Sequence, residues 1–290
     1  MSENGGEPQA ERPEPLRLGG MALRNGLLIH GPTSWAAAAR APDGSIEVAS
    51  GPKPTFGQGR LGKVPLLRGP LRLAEAMAVV PIARSRVRSA RLPLEDRRVL
   101  AAAVATAAAS GVVRRFRAGN DTARGATARE AMVSLLGIVP AMAALRDHDL
   151  AAYHGVEHKA IGAYEKGSLD PNDAPKEHER CGSNLIGPML AFSVAGQVAA
   201  ERLIERPGPV TRAAAGTGAV SAAVEVFAYA ERNPTSPVGR AVHALGHEIQ
   251  RVLSTREPTD EQIEVGVAAL AAVLREENGL QEPGDGADSV

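Results

Sequence analysis

Leu150-Ala151-Ala152-Tyr153-His154-Gly155-Val156-Glu157-His158-Lys159-Ala160-Ile161-Gly162 is the stretch on which fold and chemistry both turn. Leu150, Ala151, Ala152, Val156, Ala160 and Ile161 make it amphipathic, which predicts a helix. Residues four apart on a helix stand one above the other, so His154 and His158 can reach one cation. Glu157 falls on nearly the same face, three residues after His154. The order His-x-x-Glu-His is the inverted zinc-protease motif, in which two His bind the metal and the Glu activates water. Neutral imidazoles hold zinc without cancelling its charge, and an unligated carboxylate beside them takes a proton from the bound water. The bland alternative is a solvated helix face, because so short a motif also arises by chance. Gly155 and Gly162 weaken the helix by about 1 kcal/mol each relative to Ala. Beside the His pair they suit close approach of another backbone or a ligand.

Around this stretch the composition excludes several classes. Lys plus Arg and Asp plus Glu are both 33, so charge gives no argument for a nucleic-acid partner. Cys181 is the only cysteine, which rules out an intramolecular disulfide. The polar, Pro/Glu-rich start lacks the apolar core of a secretory signal and reads as a disordered tail over residues 1–16, as does 281–290. Aromatics are only 3% and Ala is abundant, which favours closely packed helices.

Residues 17–50 read as a small β unit: an apolar run over Ala22–Ile29, then Trp35–Arg40, then the Pro42-Asp43-Gly44 turn leading into Ile46–Ala49. A Gly/Pro/Lys linker follows over 51–63. From 64 to 276 the pattern is that of a helical bundle, with helices expected over 70–83, 95–112, 128–146, 148–165, 184–204, 210–231, 238–253 and 259–275. Thr259 or Asp260 is the expected N-cap of the last helix. The fold class is therefore α+β, mainly α. The apolar runs Val99–Val113, Ala131–Leu145 and Leu185–Ala200 are each about 15 residues, below the length needed to span a bilayer. They read as buried core helices, although the Arg clusters flanking the first would also suit an interfacial helix.

Extended to Tyr153-His154-Gly155-Val156-Glu157-His158-Lys159-Ala160-Ile161, the motif resembles the YqhQ-like family, bacterial domains of unknown function grouped with metal-dependent enzymes. Further blocks carry the likeness in colinear order over roughly 18–275. They are Gly19-Gly20-Met21-Ala22 with Gly26, Trp35–Arg40, Pro65-Leu66-Leu67-Arg68-Gly69, Tyr164-Glu165, His178-Glu179-Arg180-Cys181-Gly182-Ser183-Asn184, and Gln250 before Thr255-Arg256-Glu257-Pro258. Asn25 stands where the family leads one to expect Glu, His30 near an expected Arg, and Glu179 in place of Pro. The resemblance implies a multi-pass membrane protein, but the helices here are short and Ala-rich. The expected location is the cytoplasm, or the cytoplasmic membrane by peripheral or integral attachment.

A catalytic zinc site normally has three protein ligands and a water. Glu225, a lone acid in an apolar stretch and at a position where the resemblance implies a Glu, is the expected third ligand. The rival completion is His178 with Cys181, which would close an N₃S structural site. Tyr153, Lys159, Tyr164, Glu165 and Arg180 are candidates to support ligands or to orient a substrate. His243 and His247, another pair four apart, read as an amphipathic helix face. The expected function is hydrolysis assisted by a divalent metal, zinc first, with Glu157 taking the proton of the metal-bound water. Peptide or amide substrates are suggested by analogy with inverted-motif proteases. The alternative is a non-enzymatic scaffold or membrane-associated adaptor holding a structural metal.

Overall fold

The computed structural model describes residues 15–56, 64–115, 123–204 and 207–281. The expected C-terminal tail beyond residue 281 and residues 57–63 of the linker lie outside them. The expected N-terminal tail overlaps them only at Pro15 and Leu16. Leu16 packs on the core, and its amide donates to the Tyr164 hydroxyl (3.1 Å).

The β unit is a four-stranded antiparallel meander: β1 Gly19–Leu23, β2 Gly26–His30, β3 Ser34–Arg40 and β4 Ile46–Pro52. The single apolar run expected over 22–29 is broken by a tight turn at Arg24-Asn25, with Leu23 opposite Gly26. Asn25 makes this corner. Its amide donates to the carbonyls of Arg40 and Ser89 (both 2.8 Å), and its side-chain oxygen accepts from the Arg91 amide (2.9 Å).

Both faces of the sheet are covered, so β2 and β3 read as unbroken apolar runs. Leu27, Ile29, Ala36 and Ala38 face α5 (His148–Glu165) and α9 (Asp260–Gln281). Leu28, Trp35, Ala37 and Ala39 face α1 (Arg68–Arg86) and the segment after it, through Val79, Ala83, Val87 and Ala90. Alanine at four of the β3 positions lets helices approach closely on either side. The N-terminus of α9 carries the expected cap: Thr259 Oγ1 accepts from the Gln262 amide (3.4 Å), and Gln262 Oε1 accepts from the Thr259 amide (3.0 Å).

The remaining helices are α2 (Arg97–Arg115), α3 (Ala123–Leu136), α4 (Val139–Leu145), α6 (Ile186–Leu203), α7 (Pro209–Arg232) and α8 (Pro237–Ile249). The helix expected over 128–146 is interrupted at Gly137-Ile138. Pro140 has no N–H for a continuing ladder and sits instead in the first turn of α4. α6 and α7 form an antiparallel pair. Near its tip a largely buried ionic cluster joins four helices: Glu130 to Arg114 (2.9 Å) and Arg212 (3.7 Å), and Glu201 to Arg129 and Arg212 (3.3 Å).

The reading of the apolar runs as buried core is corrected here. Two helical segments, Gly125–Leu145 and Pro209–Arg232, are long and apolar enough to cross a membrane by length and composition, and only 22% of the apolar 18-residue stretch in each is buried. Leu100, Val104, Met132, Leu135 and Val210 stand exposed on α2, α3 and α7.

Candidate metal centre

Helix α5 starts at Asp147, whose carboxylate accepts from the amides of Asp149 (3.1 Å) and Leu150 (3.4 Å). Every position from Leu150 to Ala163 is buried except His154, which is partly exposed, so the helix is enclosed on all sides and not on one face alone. The chemistry-bearing residues therefore sit inside the protein. The bland reading as a solvated face does not hold for this helix.

His154 and His158 lie together, ring centroids 4.4 Å apart. Each is oriented through Nδ1 on a backbone carbonyl: His154 on Ser254 (2.8 Å) and His158 on Lys176 (2.6 Å). With Nδ1–H donating there, both Nε2 atoms are unprotonated and present a lone pair, which is how metal-binding imidazoles are held. His158 Nε2 is buried and has no hydrogen-bond partner. Cys181 Sγ lies 3.5 Å from His154 Nε2. Among the described residues, one ligand atom from each of His154, His158 and Cys181 falls within 4.8 Å of the others. Soft thiolate and imidazole are a donor set suited to zinc.

The backbone that orients these rings comes from two irregular segments. α8 ends in a π turn over Gln250–Ser254, and π turns leave carbonyls outside the α ladder. The 174–181 loop is tied to that turn by Gln250, which is fully buried. Its Oε1 accepts from the His178 amide (2.7 Å) and its Nε2 donates to Ser183 Oγ (2.8 Å). Gly155 permits the chain after the π turn to cross α5. The Arg256 amide donates to the Ala151 carbonyl (3.0 Å), and a Cβ on Gly155 would stand 2.3 Å from the Arg256 carbonyl oxygen.

Glu157 is 8% exposed, and no hydrogen bond reaches its carboxylate among the described residues. Its side chain lies on β1, where a Cβ on Gly20 would meet the carboxylate at 2.8 Å. Burial lifts its pKa to about 7, with His154 opposing the rise and Cys181 adding to it. Burial also holds His158 well below the ordinary histidine value, so its imidazole is neutral. The Cys181 thiol is pushed up by burial, against hydrogen bonds from Ser183.

The other expected site residues go elsewhere. Glu225, expected as third ligand, does not join the cluster. Its carboxylate accepts from Arg68 and from the Leu66 amide (3.1 Å), and it fastens the start of α1 to α7. Leu66 is the one non-glycine described residue with positive φ (68°), so the Glu225 contact holds a strained turn. An arginine partner met earlier in the chain is what a reading of the α7 sequence missed. His178 is not available either: its Nδ1 accepts from the Arg180 amide (3.3 Å) and its Nε2 donates to Glu165 (3.1 Å). Its ring stands 5.8 Å from that of His158, and burial lowers its pKa. Glu165 also pairs with Arg180. Lys159 bonds the Ala174 carbonyl (3.3 Å) and Glu257 (2.7 Å). Tyr153 packs in the core against the sheet. Sequence reasoning missed Gly20, Gln250 as a loop tie, and the two carbonyls. Carbonyls carry no residue signal, but Gly20 and Gln250 both fall in blocks the resemblance had marked.

The model of DUF1385, a protein family of unknown function, matches residues 131–276, half of the chain, including α5, Cys181 and the π turn. The chain belongs to that family. This agrees with the YqhQ-like resemblance. No curated protein and no solved structure matches.

Proposed function

We propose that this DUF1385 protein is a zinc-dependent hydrolase whose metal would be held by His154 Nε2, His158 Nε2 and Cys181 Sγ. The observation that carries the reading is the pair of imidazoles anchored through Nδ1, with His158 Nε2 buried without a partner and His154 Nε2 facing the Cys181 thiol. Three protein ligands leave a fourth position, as catalytic zinc sites do. A bound zinc would supply Lewis acidity and a water acidic enough to react near neutrality. Glu157 accepts the proton of the attacking water and returns it to the leaving group. Its raised pKa suits both halves of that exchange. The backbone carbonyls of Ser254 and Lys176 keep both rings in one tautomer.

The test is metal content together with turnover on p-nitrophenyl esters and peptide p-nitroanilides. The wild type should hold about one zinc, in line with a single three-ligand site, and His154→Ala and Cys181→Ala should lose it. Glu157→Gln should keep the zinc while turnover drops about 10²- to 10⁴-fold. A wild type that takes up no zinc on reconstitution, or a fully active Glu157→Gln, overturns the proposal.

A second reading has its own observation. His154, His158 and Cys181 join α5, the 174–181 loop and the π turn, and none of the three lines the large cavity nearby. A metal there would also work as a structural clasp. In that case zinc removal lowers the melting temperature and Glu157→Gln changes little.

For location, the exposed apolar sides of α2, α3 and α7 support attachment to a membrane through the bundle. Recovery in the membrane fraction that resists an alkaline carbonate wash is the expected result; recovery in the soluble fraction without detergent overturns it.

A further inference from the structure

A cavity of about 1220 Å³ lies between α1, α6 and α7 on one side and the 174–181 loop with the end of α5 on the other. It exceeds the roughly 300–1,000 Å³ of common ligand pockets, and no residue of the metal cluster lines it. Its lining is of two kinds. Leu73, Met189, Val224, Phe227 and Ala228 make an apolar wall. Arg17, Arg72, Lys166 and Arg232 also line it, Arg72 on α1 and Arg232 at the end of α7, and none of the four has an ion pair among the described residues. The two other cations of the lining are already matched, Arg68 by Glu225 and Arg180 by Glu165. Glu179 and Glu231 are the lining acids left without an ion pair, so positive charge is in excess. Leu73, half exposed, belongs both to the apolar wall and to the exposed apolar residues Leu66, in the turn before α1, and Met77, one turn further along it. The apolar wall thus runs out to the surface.

We propose that this cavity binds a single-chain anionic amphiphile, its hydrocarbon along the α1–α6–α7 wall and its head group among Arg17, Arg72, Lys166 and Arg232. Hydrocarbon burial accounts for the wall, and the unmatched cations select the sign of the head. The inference does not depend on the metal reading, because the cavity and the metal cluster share no residue.

The test is displacement of a fluorescent fatty acid from the purified full chain, held in amphipol, by three ligands of equal chain length: oleate, oleoyl lysophosphatidate and oleylamine. Oleate or the lysophosphatidate should bind at least tenfold more tightly than oleylamine. Whichever of the two anions binds better assigns the head group as carboxylate or phosphate, and equal binding supports the proposal as stated. Ala228→Trp, which fills the apolar wall, and the Arg72→Glu/Lys166→Glu double variant should each weaken binding at least tenfold. Leu73→Trp, at a half-exposed position, replaces Ala228→Trp if that variant does not fold. His154→Ala should bind oleate like the wild type, so loss of zinc and loss of amphiphile are read separately. Equal binding of oleylamine, or unchanged oleate binding when the wall is filled, overturns the proposal.

Discussion

At the scale of single residues, the centre depends on what each side chain is prevented from doing. His154 and His158 cannot turn Nδ1 inward, because backbone carbonyls occupy it. Glu157 cannot relax onto a donor, because glycine at position 20 leaves it flush against a strand. Gly20→Ala is therefore expected to displace the carboxylate and reduce turnover while zinc content holds. Gly155→Ala pushes a methyl group into the Arg256 carbonyl and should cost about 1–3 kcal/mol in urea unfolding, the usual range for overpacking. Asn25→Ala removes three hydrogen bonds from the β1–β2 corner and should cost about 2–3 kcal/mol at roughly 1 kcal/mol each. Glu225→Gln should lower the melting temperature and leave zinc content untouched, since its carboxylate serves Arg68 and Leu66. Loss of zinc in that variant would restore Glu225 as a ligand.

At the scale of elements, α9 does more than cover the sheet. Near its C-terminal end Glu277 accepts from the amides of Thr33 (2.9 Å) and Ser34 (2.8 Å) and from both hydroxyls, closing the β2–β3 turn onto the helix. Burial tends to raise its pKa, but these donors outweigh burial and hold it below the ordinary 4.5. A depressed carboxylate stabilises the fold above its unfolded pKa, and that stability is lost as pH falls through the folded value. Glu277→Gln should thus destabilise the protein at pH 7, and the gap between variant and wild type should close on acidification below 4.5. Urea midpoints measured across that range check it; a gap independent of pH would mean the turn is held by something else. The sequence made much at this scale legible. The α+β class, the span of α5 and the Thr259 cap follow from periodicity and local chemistry. The turn at Arg24-Asn25 was hidden because apolar residues continue on both sides of it. The π turn was hidden because helical periodicity runs through it unbroken.

At the scale of the whole molecule, the His-x-x-Glu-His pair could be read directly, since its spacing is local. The third ligand atom could not. Glu225 and Cys181 were both open on sequence grounds, and the choice rests on contacts about 150 residues apart, Arg68 with Glu225. Burial was misjudged in the bundle, where Ala-rich runs looked like core yet present much of their length outward. The family match opens at residue 131, whereas the surface on which α5 and α9 rest is formed by residues 19–52. Residues 131–276 thus hold a roof without its floor. Expressed alone, residues 131–276 would leave Val156, Ala160, Val265 and Ala269 facing water and should aggregate. Supplying residues 1–130 as a separate chain should rescue both solubility and zinc uptake.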